Sequence, residues 1–183
     1  MDLPAAQKFN RLKWWFWISF LIAVIFIVWM KRYLSPLESS EIVRFEMAKT
    51  TDKAAGMIRE WKEDGRFDLV VKSIQLDYIF IVLYCIAIAT ASRFFSALTH
   101  NVILRKAGIF FSFFIFVAGL FDVVENIAMM KSLGQSVTQT SVGFAYKMAI
   151  SKFSIVLMAL FFIMVCLVSW MVNQFSRKEK FWK

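Results

Sequence analysis

The chain has 183 residues, 60% of them hydrophobic and 21 of them Phe, and carries a formal charge of +9. A mean hydropathy of +0.62 excludes a water-soluble domain of this length, which needs far more polar surface. The positive charge does not point to nucleic acid, because Lys and Arg flank apolar runs, the pattern of membrane orientation.

A helix needs about 20 apolar residues to cross a bilayer. The first run that satisfies this is roughly Trp14 to Met30. It is followed by "KRYLSPLE" rather than by a small-x-small cleavage site, so it reads as an uncleaved span. The next segment, about 31–72, holds one Pro and two Gly and reads as structured. In "TDKAAGMIREW", Thr51 is the expected N-cap and Asp52 lies in the first turn. Ala54, Ile58 and Trp61 follow at helical spacing and predict a short amphipathic helix. The preceding "IVRFEMA" is compatible with an extended or a helical course. Further spans are expected at about Ser73 to Phe95, Ala107 to Met130 and Phe144 to Val172. Each must be helical, since backbone groups in lipid are satisfied within the segment. Residues 1–183 thus read as a single all-α domain, a four-helix transmembrane bundle with a short extracytoplasmic helical segment between spans one and two.

Lys8, Arg11 and Lys13, then Arg93, Arg105 and Lys106, then Arg177, Lys178, Lys180 and Lys183 must share a side. That side reads as cytoplasmic, which places both termini inside a cell inner membrane. The first loop has nine Lys or Arg, but its length and its eight acids weaken its vote. Lys31 and Arg32 oppose this orientation. The tail "SRKEKFWK" reads as an interfacial anchor to anionic lipid.

Carboxylates occur where hydrocarbon makes them costly. On a helix advancing about 100° per residue, Gly108, Ser112, Gly119, Asp122 and Asn126 share a stripe in span three, with Glu125 at its edge. Phe110, Phe114, Val117, Phe121 and Val124 lie opposite and are expected to face lipid. In span two, Ser73, Asp77, Tyr84 and Ala91 share a face. In span four, Lys147 shares a face with Ser151, Ser154 and Met158, while Lys152 points elsewhere and is expected to snorkel toward headgroups. Alternation of the spans puts Asp77, Asp122, Glu125, Asn126 and Lys147 at one depth whichever way the protein is inserted. Asp122 is expected to be neutral or held by Lys147 or Tyr84, and Glu125 to reach water. Polar residues of this kind can serve only as glue between helices. Three acids against one lysine exceed what glue requires, and point to a protonated acid, a cation or a water cavity.

Cys85 and Cys166 stand apart in apolar runs without a CxxC, so neither a redox pair nor a zinc site is proposed. His100, the single His, lies in an expected loop, which excludes bis-histidine haem ligation on one chain. No cofactor signature is present, and a bound metal is not expected beside a competing Lys147.

"FEMA", a short helix ending at Trp61, "LDYIFIVLY" and "AGLFDVVEN" together resemble a pattern of uncharacterised bacterial four-span membrane proteins. The match covers residues 42–130 and implies the four-span plan without an activity. The plan is also loosely similar to the sterol-isomerase and sigma-2 receptor group, from which no site carries over residue by residue. The leading functional expectation is an outer-leaflet pocket that binds or transports a proton, a cation or an amphiphilic small ligand. Its residues are Asp77, Tyr84, Asp122, Glu125, Asn126 and Lys147. The alternatives are a membrane-embedded acid/base enzyme acting on a lipid or isoprenoid through Asp122 and Glu125, and a structural or assembly subunit. The expected partners are membrane lipids, the amphiphile and other copies of the chain in a homo-oligomer.

Overall fold

The computed structural model describes the backbone of residues 5–99 and 101–179 and the side chains of 7–99 and 101–174. His100 and the side chains of Arg177, Lys178, Lys180 and Lys183 lie outside the described residues. Six helices follow in order: α1 Ala5–Tyr33, α2 Ser39–Glu46, α3 Thr51–Glu63, α4 Phe67–Leu98, α5 Val102–Gly134 and α6 Gln139–Glu179. Four contain stretches long and apolar enough to cross a membrane: Gln7–Tyr33, Phe67–Leu98, Val102–Gly134 and Gln139–Gln174. The protein is a multi-pass, all-helical membrane bundle. The helices outrun the apolar runs because polar caps carry them beyond the hydrocarbon. Asn101, for example, accepts from Ile103 N at 2.8 Å and Leu104 N at 3.3 Å and so starts α5.

Helices α4, α5 and α6 form the centre, and α1 packs chiefly along α4. The α1–α4 seam is aromatic at one end, where Phe16 stacks on Phe94 at 5.1 Å and meets Phe95 edge-on at 5.4 Å. Ser19 and Thr90 close it with a 2.8 Å hydrogen bond. The small-residue stripe of α5 is its contact face with α4. A Cβ at Gly119 would stand 2.7 Å from Cys85 Sγ, and one at Gly108 would stand 2.8 Å from the Ser92 carbonyl oxygen. Only glycine lets the helices approach this closely. Phe110 and Val117 face outward as expected, joined by Phe113, Phe116, Leu120 and Ile127. Phe114 and Phe121 instead pack half-buried against the core beside Ile81 and Ile115.

Helices α2 and α3 fold as a cap on one end of the bundle. Glu38 and Glu41 form a capping box that starts α2, and Thr50, rather than Thr51, is the N-cap residue of α3. Ala54, Ile58 and Trp61 are buried at their helical spacing. With Phe45 they join Val70, Ile74, Met129, Leu133, Val142 and Ala145 of the long helices in one core. Gly65, at φ +68°, makes the turn from α3 into α4, a conformation that costs an L side chain energy. A buried polar knot secures the cap. Trp61 Nε1 donates to Glu41 Oε2 at 2.8 Å, and Arg66 Nη1 donates to both Glu41 oxygens at 2.7 and 2.8 Å. Burial opposes ionisation of Glu41, but the Trp61 and Glu38 backbone donors and the Arg66 charge outweigh it and hold the carboxyl below its usual range. Gln139, at the start of α6, bonds Lys49 O at 2.9 Å and Thr51 N at 3.3 Å and ties the cap down.

Candidate functional site

Beneath the cap, four helices, α2, α4, α5 and α6, converge on a cluster of charged side chains. α5 presents Asp122, Glu125 and Asn126 from its small-residue face, with exposures of 5%, 0% and 1%. α4 contributes Asp77 and Tyr84, and the close approach at Gly119 brings both within reach. Tyr84 donates to Asp122 Oδ2 at 3.0 Å, and Asn126 Nδ2 donates to Asp77 Oδ2 at 2.7 Å.

The cation is Lys152, not Lys147. Lys152 is 6% exposed, and its Nζ lies 2.7 Å from Asp122 Oδ1, 2.9 Å from Glu125 Oε2 and 3.5 Å from Glu46 Oε2. Lys147 is exposed on the outer face of α6, as are Ser154 and Met158. The buried stripe of α6 runs through Ala145, Ala149, Lys152, Ile155 and Ala159, because small side chains let α6 settle against α5. That Ala-rich spacing around Lys152 is the signal that could have identified it. Lys152 therefore does not snorkel, and Glu125 does not reach water. Neither Glu125 oxygen makes a hydrogen bond, and its partner is the Lys152 charge.

Glu46 is the residue that sequence reasoning missed. It sits in the last turn of α2, outside the spans, and is 7% exposed. Its Oε2 makes no hydrogen bond. Burial pushes its carboxyl up to about 7; Lys152 opposes the shift, and Asp122 and Asp77 add to it. A carboxyl raised in the folded state holds its proton longer there than in the unfolded chain. Its penalty is absent below about pH 4.5, grows with rising pH and is complete above about 7. Glu46→Gln removes up to about 3 kcal/mol of that penalty. The variant should melt above wild type at pH 8 and level with it at pH 4.5. Curves that stay parallel across this range would show that Glu46 is ionised and paired throughout.

A cavity of about 390 Å³ adjoins the cluster. Ile27 and Met30 of α1, Leu34 in the turn after it, and Phe153 and Val156 of α6 form apolar walls, and Glu46, Asp77, Asp122, Asn126, Tyr84 and Lys152 belong to its polar lining. The cavity lies between α1 and α6, with α4 and α2 completing its lining. Among the described residues, no group of three or more His, Cys, Asp or Glu has the geometry of a metal site. The carboxylates face a lysine and amide and phenol donors instead.

No family model, curated protein or solved structure matches this chain.

Proposed function

We propose that the protein binds an amphiphilic small molecule in this cavity, with its apolar body between α1 and α6 and a cationic head at the acid-rich end. The observation that carries the reading is charge imbalance at one end of an apolar cavity. Glu46, Asp122 and Glu125 share Lys152 as their ion-pair partner with Asp77 at the same end, Lys31 and Glu38 in the lining offset one another, and Glu46 Oε2, which makes no hydrogen bond, belongs to a residue that lines the space. An ammonium head supplies both the missing charge and donors for that oxygen, and a mostly apolar pocket with few placed polar groups is the usual form of a small-molecule site. A membrane-embedded acid/base enzyme is the second reading. It is favoured by the hydrogen-bonded chain of Tyr84, Asp122 and Lys152, which holds a carboxylate between two proton-bearing groups.

The orientation belongs to the same proposal: a bacterial inner membrane, with termini in the cytoplasm and the cap outside. Its support is that Lys8, Arg11, Lys13, Arg93, Arg105 and Lys106 crowd one end, while the acids whose side chains are described belong to the cap and the half of the bundle beneath it.

The test compares dodecylamine, dodecanol and dodecanoate at equal concentration on the protein in nonionic detergent. Dodecylamine should raise the melting temperature saturably, by several degrees near a hundredfold excess over Kd. Glu46→Gln and Asp77→Asn should each weaken that response. Equal stabilisation by dodecanol would remove the cationic head from the proposal. Cysteine labelling at position 60, in a background lacking Cys85 and Cys166, should proceed from outside the cell; labelling only from the cytoplasm would reverse the orientation and leave the ligand reading intact.

A further inference from the structure

A second opening, of about 690 Å³, lies at the opposite end of the bundle from the cap. Arg11 and Trp15 of α1, Arg93 and Ser96 of α4, and Arg105 and Ile109 of α5 line it. The tight α4–α5 contact at Gly108 draws α5 onto α4, so α4 forms the floor of a groove flanked by α1 and α5. Three arginines from three helices thus line one opening. None of them forms an ion pair among the described residues, where every ion pair belongs to Arg66 or Lys152. Lys8 lines the opening together with the three arginines, whereas Lys13 and Lys106 are not part of its lining.

Like charges gathered at one opening repel, and an anion relieves that repulsion. Arginine's planar fork suits phosphate oxygens better than a lysine does. The position adds a second requirement. The exposed Trp15 marks headgroup depth, Ile109 continues the wall toward the hydrocarbon, and Phe9 and Leu12 add apolar surface on the side of the helix end. A soluble anion would leave these walls uncovered, whereas an acyl chain covers them. We propose that this groove is a binding site for an anionic phospholipid, its phosphate held by Arg11, Arg93 and Arg105 and its acyl chains lying along α1 and α5. Basic pockets between transmembrane helices recognise anionic headgroups by this combination. The proposal is independent of the cavity under the cap, which lies at the other end of the bundle and has the opposite charge.

The experiment measures lipid-dependent melting of the full chain in nonionic detergent, with phosphatidylglycerol, phosphatidylcholine or inorganic phosphate added. Phosphatidylglycerol should stabilise wild type at concentrations at least tenfold below those needed for phosphatidylcholine, and raised salt should narrow that difference. The Arg11→Gln/Arg93→Gln/Arg105→Gln variant should lose the preference, and the Lys13→Gln/Lys106→Gln variant should keep it. No preference in wild type would overturn the site. Full stabilisation by inorganic phosphate alone would overturn its assignment to a lipid. A loss as large in the lysine variant would show diffuse surface charge rather than a built site. If the triple variant does not fold, Arg93→Gln alone, read against wild type with the two lipids, decides the question.

Discussion

Lys152→Met should lower the melting temperature of the detergent-solubilised protein by on the order of 10 °C, while Lys147→Met changes it little. Lys152 Nζ is the only cation within ion-pair distance of Asp122, Glu125 and Glu46 among the described residues, at 2.7, 2.9 and 3.5 Å. Removing one partner of a buried ion pair costs about 3–5 kcal/mol, because the remaining charge stays desolvated and uncompensated. Here Glu125 is 0% exposed and has no hydrogen bond to fall back on. Asp122 keeps only the Tyr84 hydroxyl. Removing the charge on the other side should recover part of the loss. Lys152→Met in an Asp122→Asn/Glu125→Gln background should cost less than in wild type, with a coupling of about 1–3 kcal/mol. Strict additivity, or equal damage from Lys147→Met, would mean that Lys152 packs rather than pairs.

Trp61→Ala should release the cap from the bundle. Trp61 is 1% exposed, packs edge-on against Phe45 at 5.2 Å and donates to Glu41 at 2.8 Å. Truncating a buried aromatic of this kind costs about 3–5 kcal/mol, from lost burial and the cavity left behind. Glu41 also loses one of its donors and depends on Arg66 alone for a side-chain partner. Trp61→Phe separates the two effects. It keeps most of the ring and loses the Nε1 donor, for about 1–3 kcal/mol. The observable is trypsin cleavage at Lys49, Lys53, Arg59 and Lys62, which lie in or beside α3. Cleavage should accelerate in the order wild type, Trp61→Phe, Trp61→Ala. Because Glu46 rides on α2, the alanine variant should also lose the pH-dependent contribution of that carboxyl. Unchanged proteolysis in Trp61→Ala would show that Gln139 and the rest of the cap core hold it without the tryptophan.

The bundle was legible in the sequence because lipid admits few solutions. Long apolar runs must become helices there, so span number follows from composition and run length. The stripe of Gly108, Ser112, Gly119, Asp122 and Asn126 was legible for a related reason. In α5 the polar and the small residues coincide, so both criteria select the face that meets α4. In α6 they diverge. Lys147 keeps company with Ser151 and Ser154, Lys152 with Ala145, Ala149 and Ala159, and periodicity alone does not rank one stripe above the other. Packing ranks them, because close helix contact needs small side chains more than it needs hydroxyls, and so Lys152 is buried and Lys147 is not. The run of the cap was legible as an amphipathic pattern at Ala54, Ile58 and Trp61, but its purchase on the bundle was not. Glu46 is far in sequence from Asp122 and Lys152 and shares no helix with either. Only the Glu41–Trp61–Arg66 knot and the turn at Gly65, which fold α2 back over the helix ends, bring its carboxyl to the lysine. Local spacing thus decided which segments are helices and which face of α5 carries the acids. The identity of the cation, the fourth carboxylate and the cavity beside them depend on how separate helices pack, a property that no single stretch of the chain contains.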